Sequence, residues 1–340
     1  MKKLLLIALL FCAAFASAQT FSTLYVFGDS LSDVGNKTPK NFSVYSEDSL
    51  EYKYSYGSRW SNGKVWNEYL AEMLDVAVPT NSENGGTNYA YGGGMSGAGT
   101  SDILGCVDIN RQITGTEKGF AAKGAQFLPT DLVCLWGGAN NLFFSLRTMA
   151  TKNEELYKTE AKETAQEMGT NINSLISLGA KTIVVMNLPN VGKTPSDLND
   201  PEGASLDSLF SLTFNEELAL QVAKIKAENA DVKIIDIDVY AIFDDILANP
   251  SSYGFDDVTS ESIAIYQANE DSYATPEEVM ANVDTSNVLF WDDVHPSTYG
   301  HKAIADAVYA SINSSIPEPS AYAAIFGALA LAFAVYRKRK

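Results

Sequence analysis

The sequence of 340 residues carries 42 acidic and 24 basic side chains, which gives a formal net charge of −18. Such an acidic chain is a poor partner for nucleic acid, because binding to phosphate backbones depends on Lys and Arg. With only three cysteines, we expect no disulfide framework, and Cys134, in an apolar run, is predicted to be a buried thiol; pairing with Cys106 stays open. Clustered Cys/His patterns and His-x-x-x-His are absent from the sequence, so we predict neither a catalytic metal nor a cofactor.

Residues 1–18 have the pattern of a secretory signal peptide. Lys2 and Lys3 precede an apolar run at 4–15, and residues 16–18 read Ala-Ser-Ala. A basic start, an apolar centre and small residues at the end are the features that signal peptidase recognises. We therefore expect export, with Gln19 as the new N-terminus.

Residues 19–313 are sufficient for one large domain, in which strands and helices alternate. Short apolar runs predict buried strands at 24–27, 132–136, 182–186 and 233–237. Helical patterns lie at 64–74, with Ser61 or Asn62 as the cap, and at 153–178, 215–228, 240–248 and 301–312. The alternation predicts an α/β fold with a mostly parallel sheet. The acidic, weakly periodic stretch 249–288 is interpreted as an excursion near the active face.

The first predicted strand leads into Gly28-Asp29-Ser30-Leu31, which indicates a candidate nucleophile. A strand that ends in a turn of small residues places a hydroxyl at the carboxyl edge of the sheet, beside a helix N-terminus. Ser30 would still need a general base, an orienting acid and an oxyanion hole. Asp29 is assigned to shaping the turn.

The chain contains two histidines, and one of them has the surroundings of a catalytic base. Asp292 precedes His295 by three residues, a spacing at which a tight loop lets the carboxylate hold one ring nitrogen while the other faces a serine. Asp293 adds a carboxylate that is expected to raise the pKa of the histidine. His301 has no acid at a matching spacing, so we expect a cap or a solvated residue.

Two segments offer donors for an oxyanion hole. Residues 92–94 are three consecutive glycines, which allow backbone N–H groups to approach a ligand closely. Asn140 follows the second predicted strand, so its side-chain amide would lie at the same sheet edge as Ser30. A flexible turn and a helix cap are the respective alternatives.

Residues 314–340 have the pattern of a membrane-active tail. Pro317-Glu318-Pro319 is followed by an apolar run at 321–336 and four basic residues at 337–340. The run is just long enough for a spanning helix with a cytoplasmic basic end. The tail resembles the PEP-CTERM sorting signal of Gram-negative bacteria. That resemblance implies transient membrane association, removal by an exosortase, and delivery to the cell surface or extracellular matrix; a plain tail anchor is the alternative.

Four blocks, at 28–31, 88–93, 138–141 and 292–296, occur in the order found in GDSL enzymes. Over residues 23–312 the chain resembles the lipase-like branch of the GDSL esterase/lipase family, in the SGNH hydrolase superfamily. The resemblance implies a three-layer α/β/α sandwich with a mostly parallel, flavodoxin-like sheet.

The same resemblance implies a role for each matched residue. Ser30 would be the nucleophile, His295 the general base and Asp292 its orienting acid. The Ser30 amide, a glycine amide best aligned at Gly93, and the Asn140 side chain would form the oxyanion hole.

One position departs from the family pattern. Where the family has Gly-x-Asn-Asp, this chain has Gly-Ala-Asn-Asn, with Asn141 in place of the aspartate. Because the preceding asparagine is the donor, we expect activity to survive with altered support for the loop.

The predicted function is an exported serine esterase or lipase that hydrolyses small esters, acylated glycans or lipids through an acyl-enzyme. The alternative is a non-catalytic surface or matrix protein that binds glycans with the same fold. The matched set of Ser30, Asp292 and His295 favours catalysis.

Overall fold

The computed structural model describes residues 20–97, 105–147, 149 and 152–315. The expected signal peptide lies outside these residues, as does nearly all of the expected sorting segment. Within the described ranges, no helix combines the length and the apolar character needed to cross a membrane.

The centre of the fold is a sheet of four parallel strands in the order β1-β2-β3-β4. They comprise β1 (Thr23–Gly28), β2 (Asp131–Trp136), β3 (Thr182–Met186) and β4 (Lys233–Ile237). All residues of β2 and β3 are buried, as expected for strands covered on both faces. Each predicted strand is confirmed within one residue at either end.

A further segment lies against the free side of β1. Tyr89 N donates to Val26 O at 2.7 Å, and Val26 N donates to Thr87 O at 3.1 Å. Asn88 forms a single parallel bridge with Val26 and occupies the place of an edge strand. This arrangement brings the glycine-rich segment to the end of β1.

Helices cover both faces of the sheet, which confirms the three-layer α/β/α sandwich. In chain order they are α1 (Leu50–Lys53), α2 (Trp66–Met73), α3 (Ile109–Thr114), α4 (Ala139–Asn141), α5 (Glu154–Ser177), α6 (Pro201–Glu228), α7 (Val239–Ala248), α8 (Ser262–Ala268), α9 (Pro276–Asn282) and α10 (Thr298–Ser315). Helices α3, α5 and α6 pack on one face, and α2, α7 and α10 pack on the other. Cys134 lies in the core and Cys106 in a separate cluster, so the two thiols do not bond to each other.

Helix α6 begins well before the predicted start at residue 215. The Asp200 side chain accepts a hydrogen bond from Gly203 N at 3.1 Å and caps the helix. Pro201 occupies the first turn, where its missing N–H is not needed. The first half of this helix was not predicted, because the proline and glycine in its first turn are residues more typical of loops.

The predicted cap of α2 was wrong. Val65 precedes the helix, and its amide donates to the Glu68 carboxylate at 3.0 Å. Ser61 Oγ instead donates to Pro296 O at 3.2 Å, and Asn62 Oδ1 accepts from Thr298 N at 2.9 Å. These two polar side chains hold the chain that follows His295.

The stretch 249–288 contains α8, α9 and strand β5 (Asp257–Glu261). Strand β5 pairs in parallel with β6 (Val288–Phe290), forming a second, two-stranded sheet. Strand β6 leads directly into the loop that carries Asp292 and His295. The stretch is thus more regular than its sequence indicated.

Candidate active site

The end of β1 is fixed by one glutamine. Gln112 on α3 accepts a hydrogen bond from Gly28 N at 2.9 Å and donates to Gly28 O at 2.7 Å. A Cβ atom on Gly28 would lie 2.1 Å from Trp136 O, so a larger residue cannot fit. The strand therefore ends at a defined point, two residues before Ser30.

Asp29 shapes the turn that presents Ser30. Its carboxylate accepts from Leu31 N at 3.1 Å, and its carbonyl accepts from Ser32 N and Asp33 N, both at 3.0 Å. Burial raises the pKa of Asp29 to about 6. The hydrogen bond from the Leu31 amide and the charge of His295 act in the opposite direction but are smaller effects. Its carboxylate serves the turn, as the sequence predicted.

Asp33 connects this turn to the glycine-rich segment. Its fully buried carboxylate accepts four backbone N–H groups: from Gly35, Asn36 and Lys37 at 2.7 Å each, and from Gly92 at 2.8 Å. Burial raises its pKa to about 7, against the lowering effect of those four donors. These bonds connect the turn after the first sequence block, at 28–31, with Gly92 in the second block, and so position the two blocks relative to each other.

Ser30, His295 and Asp292 form a continuous line of hydrogen bonds. His295 Nε2 lies 2.7 Å from Ser30 Oγ, and His295 Nδ1 lies 2.7 Å from Asp292 Oδ2. Asp292 Oδ1 also accepts from the backbone amides of His295 at 2.6 Å and Val294 at 3.0 Å. With the imidazole proton on Nδ1, the free Nε2 can take the serine proton.

The imidazole lies among carboxylates and against an indole ring. Burial opposes protonation of His295, but Asp292, with help from Asp293 and Asp29, raises its pKa above the ordinary value. The Trp60 ring packs on the imidazole, with centroids 5.2 Å apart and planes at 33°. Trp60 is buried, and its Nε1 donates to Lys37 O at 2.8 Å. This contact with the base was not foreseen from the sequence.

His301 was wrongly expected to be a cap or a solvated residue. It is fully buried in α10, and neither ring nitrogen has a hydrogen-bond partner in the part of the chain that the structure describes. Burial, with a smaller effect of His295, lowers its pKa to about 3. It faces the core because, in a helix that begins at Thr298, it lies on the same face as the buried Ile304, Ala305 and Val308.

Asn140 lines the same pocket as Ser30 and His295. Its Nδ2 donates to Gly94 O at 3.1 Å, which leaves a second amide hydrogen. Among the three glycines, Gly92 N and Gly94 N are bound to Asp33 and Tyr91, whereas Gly93 N has no partner in the described ranges. Gly93 also has a left-handed φ of +78°. The oxyanion roles of Asn140 and Gly93 stay predictions.

Asn141 supports its loop through Ser96. Asn141 Oδ1 accepts from Ser96 N at 3.0 Å and from Ser96 Oγ at 3.1 Å. The Ser96 hydroxyl also bonds to Glu167, and Asn171 Nδ2 donates to Ser96 O at 2.9 Å. The amide oxygen of Asn141 is thus an acceptor in place of a carboxylate.

The pocket beside Ser30 is mostly apolar. The space inside and in front of it amounts to about 520 Å³, open solvent included. The sequence did not indicate the apolar side chains that line it, because they come from three segments that are far apart in the chain: Trp136 and Phe143, Val191, and Phe243. Among the residues that the structure describes, no group of three or more His, Cys, Asp or Glu side chains is placed to hold a metal ion.

Comparisons with known proteins place the chain among ester hydrolases. A family model described as GDSL-like lipase/acylhydrolase matches residues 24–308. The chain is 28% identical to the phosphatidylcholine-sterol acyltransferase of Aeromonas hydrophila, over 88% of this chain and 92% of that protein. It is 25% identical to a GDSL esterase/lipase of Arabidopsis thaliana, over 86% and 87% of the two chains.

Two further comparisons concern length and structure. The chain is 24% identical to lipase 1 of Photorhabdus luminescens over 89% of its own residues, and it spans about half of that relative, 52%. The solved structure of Axe2, an acetylxylan esterase from Geobacillus stearothermophilus, aligns with a TM-score of 0.44 and 17% identity, covering 87% of this chain and 96% of that one. Because the family model extends over most of the sequence, the chain belongs to the GDSL-like lipase/acylhydrolase family and is a hydrolase that acts on ester bonds.

Proposed function

We propose that the protein is an exported serine esterase or lipase in which Ser30, His295 and Asp292 hydrolyse carboxylic esters through an acyl-enzyme. The observation that carries the proposal is the pair of 2.7 Å contacts that His295 makes, one with Ser30 Oγ and one with Asp292. A serine becomes nucleophilic when a base at hydrogen-bond distance takes its proton, and the base needs an orienting partner.

In the first half-reaction, Ser30 Oγ attacks the ester carbonyl while His295 Nε2 accepts the hydroxyl proton. The tetrahedral intermediate collapses, His295 returns that proton to the leaving alcohol, and the acyl group stays on Ser30. In the second half-reaction, His295 activates a water molecule, which releases the carboxylic acid and regenerates the serine.

Three donors would stabilise the oxyanion: the Ser30 amide, the Gly93 amide and the Asn140 side chain. The amides of Ser30 and Gly93 both lack a partner within the described residues, and Asn140 shares the pocket with Ser30. Donors that are unpartnered before substrate binds lose no competing hydrogen bond in the transition state.

The test compares the protein with Ser30→Ala on a short p-nitrophenyl ester. We expect the substitution to lower kcat by at least about 10³-fold and His295→Ala to have a similar, non-additive effect. The matched control is Ser177→Ala, because Ser177 is an exposed serine at the end of α5, near the start of β3 and thus at the sheet edge opposite Ser30. A fluorophosphonate should label the protein and the control, but not Ser30→Ala.

Hydrolysis by Ser30→Ala at the original rate would contradict this mechanism. No hydrolysis at any acyl length, combined with no fluorophosphonate labelling, would instead favour the glycan-binding alternative. Retention on immobilised glycans would then be the measurement of choice.

We also infer that the protein is delivered to the cell surface or extracellular matrix of a Gram-negative bacterium. The support is the signal-peptide pattern at 1–18 and the basic, apolar tail at 314–340. Signal peptidase and an exosortase would process the two ends, with transient membrane association in between. The intact mass of protein recovered from the surface should correspond to a chain that starts at Gln19 and lacks residues 321–340. A mass that includes this tail would contradict exosortase processing.

A further inference from the structure

The pocket beside Ser30 is suited to hydrocarbon. Of its lining residues, only Asp29 and His295 carry titratable side chains, and both belong to the catalytic loops. The remaining surface is largely carbon from Phe143, Val191 and Phe243. An apolar pocket favours an acyl chain of several carbons, because hydrocarbon gains free energy when it leaves water.

One wall of this pocket is held by a charged side chain behind it. The Arg147 guanidinium lies over the Phe143 ring, 4.6 Å from its centroid. Arg147 Nε donates to Asp207 Oδ2 at 2.8 Å, and Nη2 binds Asp197 and Ser196 at 3.2 Å each. Asp207 is buried in α6, so the guanidinium is anchored to the helical layer.

The same arginine is connected to a second residue of the pocket lining. Ser196 Oγ lies 3.0 Å from Thr194 Oγ1, and Thr194 lines the pocket. Ser196 N donates to Asp293 O at 2.9 Å, beside the catalytic acid. The Arg147 side chain therefore connects Phe143 with the loop around Thr194 and, through Ser196, with the catalytic loop.

Phe143 lies in an unusual backbone segment. Residues Leu142–Leu146 form a short π-helix directly after α4, which carries Asn140. Such insertions of one residue per turn are rare and often occur at functional sites, where they redirect side chains. Here the π-helix places Phe143 in the pocket, whereas its neighbour Phe144 packs into the separate cluster around Phe42 and Trp60.

We propose that Phe143 sets the length of the acyl chain that the pocket accepts, and that Arg147 is the positioning residue that holds the Phe143 ring in place. The inference rests on the proposed ester hydrolysis. It assigns the acyl group to this pocket and selects substrates with several carbons over acetyl esters.

The experiment measures kcat/KM for p-nitrophenyl acetate, butyrate, octanoate and palmitate. We expect the protein to prefer butyrate or octanoate to acetate. Phe143→Ala should raise the octanoate-to-butyrate and palmitate-to-octanoate ratios by about tenfold or more, because each methylene in an apolar pocket changes discrimination by roughly that factor. Phe143→Trp should lower the same ratios, and Phe143→Leu should raise them less.

Arg147→Lys tests the positioning role. A lysine keeps the charge next to Asp207 but loses the planar fork that also binds Asp197 and Ser196. We expect the ratios to shift in the direction of Phe143→Ala, by about threefold, with the change mainly in KM of the longer esters. The matched control is Phe144→Ala, which removes an equal volume from the same π-helix and should leave the ratios unchanged.

Unchanged ratios in folded, active Phe143→Ala and Phe143→Trp would overturn the inference, as would a Phe144→Ala shift equal to that of Phe143→Ala. A preference of the original protein for acetate over all longer esters would also overturn it. Loss of every ester activity, without fluorophosphonate labelling, would reject the proposed function itself and this inference with it.

Discussion

Asp292 orients both His295, the proposed base, and the loop that carries it. With the imidazole proton on Nδ1, its carboxylate accepts hydrogen bonds from the His295 ring and from the backbone amides of Val294 and His295. Asp293, next in the chain, acts on His295 through its charge, and its carbonyl is held by Ser196 N. The two adjacent aspartates therefore differ in how they act: Asp292 fixes the geometry and contributes most to raising the pKa of His295, whereas Asp293 adds a smaller rise through its charge alone.

Asp293→Asn should move the acid limb of the pH profile to lower pH. His295 must be neutral to accept the serine proton, and the Asp293 charge is one of the causes that raise its pKa. Removing that charge lowers the pKa, so the neutral form persists to lower pH. The measurement is kcat/KM on a soluble ester as a function of pH.

Asp306→Asn is the matched control for this profile. Asp306 is an exposed carboxylate on α10 that pairs with Lys302, so its removal should leave the acid limb in place. If the acid limb of the Asp293→Asn profile does not move, or moves to higher pH, the role assigned to the Asp293 charge is contradicted.

At the scale of elements, α3 and β1 are joined by the Gln112 side chain. Its amide satisfies the N–H and C=O of Gly28 and also donates to Val107 O at 2.8 Å. Gly94 lies close behind it, since a Cβ there would be 3.1 Å from Gln112 Nε2. The helix thus fixes the strand end and supports the glycine-rich segment at the same time.

Gln112→Met should reduce stability by about 1–3 kcal/mol, because it keeps the side-chain volume but leaves the buried Gly28 N–H without its partner, while Gly28 O keeps only the Tyr91 amide. We expect a loss of several degrees in Tm and a lower kcat on short esters. Gln166→Met is the matched control, since Gln166 is exposed on α5 and should lose little. An unchanged Tm for Gln112→Met would contradict the stabilising role of the hydrogen bonds between Gln112 and Gly28.

The elements differ in how far the sequence could predict them. The strands were predictable because short apolar runs such as 132–136 have no helical period, and Ser30 and His295 were predictable from their motifs. Helix α6 was half missed because Pro201 and Gly203 favour a loop when the Asp200 cap is not recognised. The wall residue Phe143 and its partner Arg147 could not be predicted, because their roles depend on contacts with Asp207 in another helix.

At the scale of the whole molecule, a buried neutral histidine makes stability depend on pH. The folded chain lowers the His301 pKa from its ordinary 6.5 to about 3. Between these values the unfolded chain binds a proton that the folded chain does not. Stability from this site is therefore fully present above about pH 6.5 and is lost progressively as the pH falls towards 3.

His301→Leu should remove this acid-linked loss. About two pH units below the ordinary pKa, the linkage amounts to roughly 2–3 kcal/mol for a fully buried group. The measurement is the free energy of unfolding in urea of both proteins at about pH 7.5 and pH 4.5. The difference between them at pH 7.5 gives the effect of the substitution on packing alone. We expect the leucine variant to gain relative stability at the lower pH; an equal difference at both values would contradict the prediction.

The contact between Ser30 and His295 joins positions 265 residues apart in the chain. Synthesis of the chain makes Ser30 early and His295 late, so for most of its synthesis a growing chain holds the proposed nucleophile without the proposed base. Folding units that depend on such distant contacts form late. The proposed mechanism therefore requires the chain through residue 295, and we expect any product that ends before it to lack esterase activity.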